Sequence, residues 1–343
     1  MAESSEKESS AHWIYNQTVK MFAAGATPEF EAADELEKYW GRAWGIDNDV
    51  GRMRAVLVHR PGDELKVVDP KKRIPEIGSY GDIKEGWYFQ SDHVPPLSEM
   101  QAQHDGLTAA LRAEGVEVFE VFESGGGEAG KRLKSCYTRD PLIMVKGGAI
   151  VCRMGARIRR GEELAITRTL AKLGIPILRT LSGSALMEGG SFSWINEKTA
   201  VIGCGIRVNH EGAAQVGEVL KRQGVDLIVT DLVGYDIHID GSFLMVDKEL
   251  ALINPAGLSY SFLEDMKRLK VETIEIEPSD YGWIVNSLAV APRKLLIPEG
   301  GSNRILDTFA KKGIEWKALP YDAMHLNGGG IHCSTTPLIR DRV

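Results

Sequence analysis

Five short apolar runs divide the chain at regular intervals. Each is about four residues long and almost entirely aliphatic, which is typical of a buried β-strand. A segment with the period of an amphipathic helix follows each run, and a second apolar strand follows each helix. The five runs are AVLV (55–58), AIVC (149–152), AVIG (200–203), LALI (250–253) and KLLI (294–297).

The helix ends have a common turn chemistry. The predicted helices begin near Leu97, Glu162, Glu211, Ser261 and Asn303. In four of the five repeats the turn after the helix begins with glycine, and Lys270 has that position in the other. Glycine enters the left-handed conformation without steric cost, so it is the usual residue at the end of a helix.

A third segment, rich in polar residues or glycine, completes each repeat. Comparable positions in these segments are separated by 48, 50, 48 and 47 residues and are occupied by Asp140, Glu188, His238, Asn286 and Cys333. Chance periodicity does not explain why the reactive residue types share one phase. One unit alone leaves an apolar face uncovered, so five units predict a closed ring whose third segments point to a shared centre. Asn286 is expected to be structural, with its amide bonded to backbone between neighbouring units.

The remaining chain divides around this repeat. Residues 1–11 are polar and are predicted to be a disordered start, and residues 12–50 are predicted to form an N-terminal helical extension. Residues 51–343 are predicted to form a single catalytic domain. The stretch 63–96 has weak periodicity and many glycine, proline and aromatic residues, which indicates loops and a candidate lid over the site.

Composition narrows the possible partners. The formal net charge of −7 disfavours a broad nucleic-acid-binding surface, and no tract is apolar enough to span a bilayer. The four cysteines lie far apart without a CxxC pair, which argues against a zinc site and a disulfide scaffold. We therefore expect a cytoplasmic protein with a small-molecule substrate and no metal or cofactor. Exposed sheet edges are compatible with a homo-oligomer.

Cys333 and His238 have the most reactive surroundings. Cys333 follows three glycines and His332, a setting that suits close approach of a ligand, although a small buried residue is the commonest role of a free cysteine. In the sequence HID, positions i and i+2 of a strand share one face, so His238 and Asp240 are expected to project together. His332, Cys136 and Cys204 are more typical of packing residues.

The ordered motifs YTRDP, EGGS, HID and GGGIHC resemble the guanidino-group-modifying superfamily, which includes arginine deiminase, dimethylarginine dimethylaminohydrolase and the amidinotransferases. The resemblance covers about residues 50–343. It implies an α/β fold, a five-bladed ββαβ propeller (pentein) with pseudo-five-fold symmetry. It also implies an enzyme that cleaves a C–N bond of a guanidino compound related to arginine.

The resemblance assigns catalytic roles to four residues. Cys333 corresponds to the nucleophile and His238 to the acid–base histidine. Asp240 corresponds to the companion acid of the histidine, and Glu188 to a carboxylate near the reaction centre. A thiolate is strong enough to attack the resonance-stabilised guanidinium carbon, and the attack divides one difficult step into two.

It also assigns substrate contacts. Asp140 corresponds to the carboxylate that binds the guanidinium nitrogens, since a planar guanidinium pairs with carboxylates through two parallel hydrogen bonds. Arg207 resembles an arginine that holds the carboxylate of the substrate in the deiminases, although an arginine after a strand also often makes a surface ion pair. Arg159 and Arg160 lie near another such position.

Three functions remain open at this point. EGGS and YTRDP are similar to the hydrolases, in which water resolves a covalent thiouronium intermediate on Cys333. GGGIHC followed by Ser-Thr is more similar to the amidinotransferases and agmatine deiminase than to arginine deiminase. In the amidinotransferases an amine acceptor resolves the same intermediate. A non-catalytic pentein that binds a partner is the third alternative, and the presence of the reactive residues disfavours it. The motif EGGS favours hydrolysis.

Overall fold

The computed structural model describes residues 11–22, 27–82, 87–89, 91–122 and 133–343. The chain forms two compact units, Met1–Ala43 and Trp44–Val343. The predicted disordered start, residues 1–11, lies outside the described residues except for Ala11.

The first unit is helical. Ala11–Tyr15 is an α-helix that continues as a π-helical turn, Asn16–Lys20, and Ala33–Trp40 forms a second α-helix. Gly41 ends this helix in the left-handed conformation at a φ of 80°. Residues 12–50 were predicted to be helical as a whole, and the described helices of this segment end at Trp40.

Residues 44–50 belong to the second unit, whereas the sequence places the end of the helical extension at residue 50. Trp44, Ile46 and Val50 are buried in its core. The amide of Gly45 donates to the carbonyl of Leu338 at 3.0 Å. This stretch is too short to show a hydrophobic period, so the sequence pattern could not separate it from the helices before it.

Apart from the three short strands between Arg73 and Phe89, the strands of the second unit follow the predicted repeat. In chain order they are β1 Met53–Val58, β2 Arg73–Ile74, β3 Ser79–Asp82, β4 Trp87–Phe89, β5 Glu117–Glu120, β6 Leu142–Val145, β7 Gly148–Val151, β8 Ile177–Thr180, β9 Phe192–Asn196, β10 Thr199–Cys204, β11 Asp226–Asp231, β12 Phe243–Asp247, β13 Leu250–Ile253, β14 Glu272–Glu275, β15 Leu288–Ala291, β16 Lys294–Pro298, β17 Glu315–Leu319 and β18 Thr336–Arg340.

Five three-stranded sheets share one pattern of pairing. A central strand pairs with an antiparallel strand on one side and a parallel strand on the other. The sheets have the orders β18-β1-β5, β6-β7-β8, β9-β10-β11, β12-β13-β14 and β15-β16-β17. The third segment of each repeat thus pairs with the first strand of the next repeat, and β18 near the C-terminus pairs with β1.

A helix joins the central strand of each sheet to its parallel neighbour. These helices are Leu97–Ala113, Glu162–Leu173, His210–Arg222, Tyr260–Arg268 and Asn303–Lys311, and a shorter helix, Asp322–Leu326, precedes β18. Each of the five long helices begins within one residue of its predicted start. The turn after each of the five helices is left-handed, at Gly115, Gly174, Gly224 and Gly313 and also at Lys270, where φ is 61°. The turn prediction is confirmed, including its exception.

The stretch 63–96, predicted as loops, contains regular structure. Strands β2, β3 and β4 form a small antiparallel sheet with the order β2-β3-β4. Strands this short show no clear alternation of polar and apolar residues, so the pattern could not reveal them. Phe89 at the end of β4 is fully buried, and Tyr88 next to it reaches the site described below.

The core is formed mainly by the central strands, whose side chains are buried on both faces. Val201, Ile202 and Leu252 have no exposed surface. Within the described part of the chain, none of the helices has the length and apolar character needed to cross a membrane.

Candidate active site

A cleft of about 410 Å³, measured out to its open mouth, contains residues from several repeats. Asp140, His238 and Cys333 line it. Each lies in a turn just before the antiparallel strand of a different sheet, and Glu188 and Asn286 have the same position before β9 and β15. The shared repeat phase therefore places side chains from distant parts of the sequence side by side.

His238 lies between two carboxylates. Its Nε2 is 2.8 Å from Oε2 of Glu188, and its Nδ1 is 3.6 Å from Oδ1 of Asp140. Burial disfavours the charged imidazolium, but the charges of Asp140, Glu188 and Asp240 and the hydrogen bond to Glu188 outweigh it, so the pKa of His238 is raised. The histidine is therefore held in its protonated form to a higher pH than usual.

Glu188 is fully buried and accepts several hydrogen bonds. Its Oε1 accepts from the backbone amides of Gly155 and Ala156 at 3.0 and 3.2 Å, and its Oε2 accepts from Arg207 at 3.1 Å. Burial alone would raise the pKa of Glu188, but the hydrogen bond from His238 and the neighbouring cations hold it well below its usual value. Glu188 is a fixed negative charge beside the histidine.

Cys333 is held by backbone and side-chain contacts. Its amide donates to Oδ1 of Asn286 at 3.3 Å, and the Nδ2 of Asn286 donates to the carbonyl of Asp240 at 3.2 Å. The expected structural role of Asn286, an amide bonded to backbone between neighbouring repeats, is confirmed. The sulfur of Cys333 is 3.5 Å from Oδ2 of Asp240. Burial, followed by the charges of Asp240 and Asp140, raises the pKa of the Cys333 thiol well above its usual value.

Asp240 and His238 do not share a strand face, which corrects the interpretation of HID. Residues Ile239–Gly241 form a 3-10 turn. His238 therefore contacts Glu188, while Asp240 contacts Nδ1 of His332 at 2.8 Å. His332 was expected to be a packing residue; it is a buried partner of the acid next to the nucleophile.

The three candidate arginines have different environments. Arg159 is buried and pairs with Asp140 and with Glu162, whose Oε2 is 2.8 Å from its Nη2. Arg207 pairs with Glu188, and its Nη2 is 3.3 Å from the hydroxyl of Tyr88. Arg160 is exposed, donates to the carbonyl of Met154 and does not line the cleft.

The sequence interpretation missed several residues of the cleft, among them a lysine and a tyrosine. Lys134 and Tyr88 both line it, and Nζ of Lys134 is 5.1 Å from the centre of the Tyr88 ring. Lys134 lies outside the repeat phase of the other site residues, and Tyr88 belongs to the segment predicted as loops. No local pattern in the sequence distinguishes either residue.

The same carboxylates could also bind a metal cation. Asp140, Glu188 and His238 each offer a ligand atom, and these atoms lie within 4.8 Å of one another. However, the two carboxylates already form ion pairs, Asp140 with Arg159 and Glu188 with Arg207. A planar organic cation that pairs with Asp140 fits this balance of charge better than a divalent ion.

The family model described as "N,N dimethylarginine dimethylhydrolase, eukaryotic" matches residues 91–280, more than half of the chain. The chain belongs to this family. It is thereby a member of the guanidino-group-modifying superfamily, as the motifs predict. The matched residues include Asp140, Glu188, His238 and Asp240.

Two hydrolases of the superfamily are similar to this family member. An arginine deiminase of Listeria welshimeri is 20% identical, over 88% of this chain and 100% of the relative. A solved dimethylarginine dimethylaminohydrolase from Pseudomonas aeruginosa, a cysteine-to-serine variant complexed with citrulline, superposes with a TM-score of 0.66 at 16% identity, over 84% of this chain and 100% of that one.

An amidinotransferase structure is equally similar. Inosamine-phosphate amidinotransferase from Streptomyces griseus has a TM-score of 0.65 at 16% identity, over 88% of this chain and 97% of that one. At these identities the structural likeness shows a shared α/β fold, and the predicted α/β class is confirmed. The relatives include both hydrolases and transferases.

Proposed function

We propose that the protein is a cysteine-dependent hydrolase that cleaves a C–N bond of a guanidino compound related to arginine. The observation that supports this most strongly is the convergence of Cys333, His238 and Asp140 on one cleft, with Glu188 bonded to His238. This set supplies a nucleophile, an acid–base group and two carboxylates for a planar cation. Membership in the dimethylarginine dimethylhydrolase family agrees with hydrolysis.

The five similar sheets are proposed to be the blades of a five-bladed ββαβ propeller around the cleft. The antiparallel strands are then its inner strands, and neighbouring ones contact each other: β18 contacts β6, and β12 contacts both β9 and β15. Pairing of β1 with β18 joins the first repeat to the last, which supports a closed ring.

Asp140 is proposed to bind the guanidinium group, with Glu188 as a second negative charge bonded to His238. Each carboxylate is held in place by backbone amides, Asp140 by Gly190 at 3.0 Å and Glu188 by Gly155 at 3.0 Å. Arg159 and Arg207 are positioning residues for these carboxylates, because each already forms an ion pair with one of them. A guanidinium fixed by hydrogen bonds presents its carbon to the sulfur, which raises the rate by orientation.

The bound cation is proposed to generate the nucleophile. Because the pKa of Cys333 is raised, the thiol is protonated in the resting enzyme. A guanidinium ion beside the sulfur favours the thiolate electrostatically and offsets the charge of Asp240. When substrate is bound, the thiol releases its proton to solvent, and the resulting thiolate is the nucleophile.

His238 is proposed to move the protons of the reaction. The thiolate of Cys333 attacks the guanidinium carbon, and the imidazolium of His238 protonates the departing amine as the C–N bond breaks. The neutral imidazole then takes a proton from water, which adds to the thiouronium carbon. Cleavage of the C–S bond releases a ureido product and restores the Cys333 thiolate.

Amidino transfer is the second candidate. The sequence GGGIHCST resembles the amidinotransferases, and one such enzyme shares the fold. In that reaction an amine acceptor replaces water in the second step, and His238 takes the proton from the amine. The two reactions need the same first step, so the acceptor alone separates them.

A product assay tests the proposal. L-arginine, dimethylarginine, agmatine and other guanidino compounds are incubated with wild type and with Cys333→Ala, with and without glycine as acceptor. Ureido product that forms without acceptor and is absent in Cys333→Ala is the expected result. Product that appears only with an acceptor would identify a transferase, and activity in Cys333→Ala would contradict both reactions.

A further inference from the structure

Arg139 is a buried cation that the proposed mechanism does not use. Its relative exposure is 7%, and it precedes Asp140, the carboxylate proposed to bind the guanidinium. Asp140 lines the cleft, whereas Arg139 lines a separate cavity of about 250 Å³, together with Asp49 and residues of β6, β9 and β18. No described residue lines both spaces. Arg139 therefore does not contact a substrate in the cleft.

Two hydrogen bonds join Arg139 to the turn that carries the nucleophile. Its backbone amide donates to the carbonyl of Cys333 at 3.0 Å, and its Nε donates to the carbonyl of His332 at 3.4 Å. These carbonyls belong to the peptide bonds after and before Cys333. Arg139 thus holds the nucleophile on both sides, and it does so one residue away from Asp140.

The residue before Arg139 strengthens the same connection. The carbonyl of Thr138 accepts a hydrogen bond from Oγ1 of Thr336 at 2.6 Å. Both chain segments are buried at this point. The sulfur and the carboxylate of Asp140 are therefore held in a fixed relation, which a reaction between bound substrate and nucleophile requires.

The positive charge of Arg139 has no acid of its own. Arg159 pairs with Asp140, but within the described ranges no carboxylate lies within ion-pair distance of the Arg139 guanidinium. Burial lowers the pKa of Arg139, and the charges of Asp49 and Asp240 are the strongest influences in the opposite direction. The charge is thus not neutralised by a contact, and its field extends to the acid beside the nucleophile.

The charges that act on Cys333 are mainly negative. Burial, then Asp240 and Asp140, raise the pKa of its thiol. A positive charge next to the same turn opposes these acids and favours the thiolate. His238 is a further cation of the site, but it lies between two carboxylates. The remaining titratable groups near the sulfur are His332, Tyr137 and Tyr321.

We propose that Arg139 is a positioning residue of the reaction, which fixes the Cys333 turn relative to Asp140 and stabilises the Cys333 thiolate with its charge. This inference rests on the proposed function and adds a residue to it. The alternative is a purely structural arginine. Its loss would lower the stability of the protein without slowing the reactions of the sulfur.

Alkylation by iodoacetamide measures the thiolate in the absence of substrate. The rate is recorded between pH 7 and 10 for wild type, Arg139→Gln and Arg139→Lys, and mass mapping of peptides assigns the adduct to Cys333. Glutamine has no charge but can still donate to the carbonyl of His332, whereas lysine keeps the charge. The two variants therefore separate the charge of Arg139 from its contact.

Arg340 provides the matched control. It has the same relative exposure of 7%, and its guanidinium also donates to backbone carbonyls, those of Gly51 and Ala289. Neither carbonyl belongs to the turn of the nucleophile. Arg340→Met thus removes a buried arginine of the same kind without removing a contact to that turn.

Arg139→Gln should slow alkylation of Cys333 at pH 8 by at least about tenfold, because the thiol then ionises about one pKa unit higher. Arg139→Lys and Arg340→Met should remain within about threefold of wild type. An unchanged or faster rate in folded Arg139→Gln would overturn the inference, because loss of a structural arginine does not hinder the sulfur.

Asp49→Asn gives a second test in which Arg139 is retained. Asp49 accepts hydrogen bonds from the Ser193 hydroxyl and the Trp194 amide at 2.7 and 2.8 Å, and asparagine can accept both. The charge of Asp49 opposes that of Arg139, so its removal should accelerate alkylation of Cys333 by about threefold. An unchanged or slower rate would overturn the inference even where Arg139→Gln does not fold.

Steady-state kinetics connect the thiolate to the proposed reaction. Because Arg139 does not line the cleft, Arg139→Gln should lower kcat by about tenfold and change KM by less than about threefold. Unchanged alkylation and kcat in this variant would overturn the role of Arg139 and leave hydrolysis intact. If wild type turned over no guanidino compound, the proposed function would fail, and the role of Arg139 in it would fail too.

Discussion

The carboxylate of Asp240 lies 3.5 Å from the sulfur of Cys333. The same oxygen is 2.8 Å from Nδ1 of His332, and hydrogen bonding to this buried histidine contributes to the lowered pKa of Asp240, against the effect of burial. A permanent negative charge thus lies next to the proposed nucleophile. It opposes formation of the thiolate until a cation enters the cleft, which links reactivity of the sulfur to occupation of the site.

Asp240→Asn should change thiol reactivity and turnover in opposite directions. Without the negative charge, the pKa of Cys333 falls, so alkylation by iodoacetamide at pH 7 becomes faster. At the same time kcat/KM should fall by about 10²-fold, because the cationic substrate loses a negative charge beside the sulfur that orients its carbon. Mass mapping of the alkylated cysteines, with Cys333→Ser as the blank, measures the first effect. Slower alkylation in Asp240→Asn would show that this charge does not restrain the thiol.

Glu188→Gln should shift the pH profile of kcat/KM. The proposed acid is the protonated form of His238, so activity should decline as pH rises through its raised pKa. Removing the charge and the hydrogen bond of Glu188 lowers this pKa, and the alkaline limb should move to lower pH. Profiles of wild type and variant between pH 6 and 10 provide the comparison. A limb that stays in place or moves to higher pH would contradict the role of His238.

The raised pKa of His238 also has a consequence for stability. A group that binds its proton more tightly in the folded state stabilises the fold fully below its unfolded pKa, about 6.5. That contribution is lost as pH rises through the folded pKa. As pH rises above neutral, the free energy of unfolding should therefore fall less for His238→Gln than for wild type. Denaturation of both proteins at several pH values measures this difference.

Gly190→Ala should disturb the site by displacing side chains next to it. A Cβ at this position would lie 2.6 Å from Oδ1 of Asp140 and 2.8 Å from Nδ1 of His238. One of the two side chains must move, so kcat/KM should fall by about 10²-fold. Gly241, in the equivalent turn of the next repeat, has no atom within 4 Å of such a Cβ, and Gly241→Ala is the matched control. Equal activities of the two variants would contradict the geometry.

Arg159→Met and its neighbour Arg160→Met should differ in stability. Loss of Arg159 leaves the buried carboxylates of Asp140 and Glu162 without their cation, which costs about 3–5 kcal/mol for a broken buried pair. Arg160 is exposed, so its replacement should change the free energy of unfolding by less than about 0.5 kcal/mol. Urea denaturation of both variants measures the difference. Similar midpoints would show that Arg159 is not an integral part of the fold.

The repeat could be predicted from the sequence because its strands, helices and turns depend on local chemistry. Hydrophobic period and turn residues located the five central strands and the helix starts, and even Lys270 adopts the left-handed turn that its position in the repeat requires. The regular spacing of residues from Asp140 to Cys333 then placed the reactive residues at equivalent positions of the repeats. These features need only neighbouring residues, so a single sequence contains them.

The contacts between distant residues could not be predicted in the same way. Lys134 meets Asn327, and Asp240 meets His332, across long separations that no local pattern encodes. The 3-10 turn at Ile239–Gly241 directs Asp240 away from His238, because a turn does not follow the alternation of a strand. The pairing of Arg207 with Glu188 likewise depends on the tertiary fold.

Trapping of the covalent intermediate tests the central claim most directly. Wild type is mixed with excess guanidino substrate, quenched with acid within one turnover, digested and analysed by mass spectrometry, with Cys333→Ser treated in parallel. We expect the peptide containing Cys333 to gain the mass of the substrate minus its leaving amine, and the variant to show no such gain. Turnover of the substrate in Cys333→Ser, or an adduct on another cysteine, would contradict it.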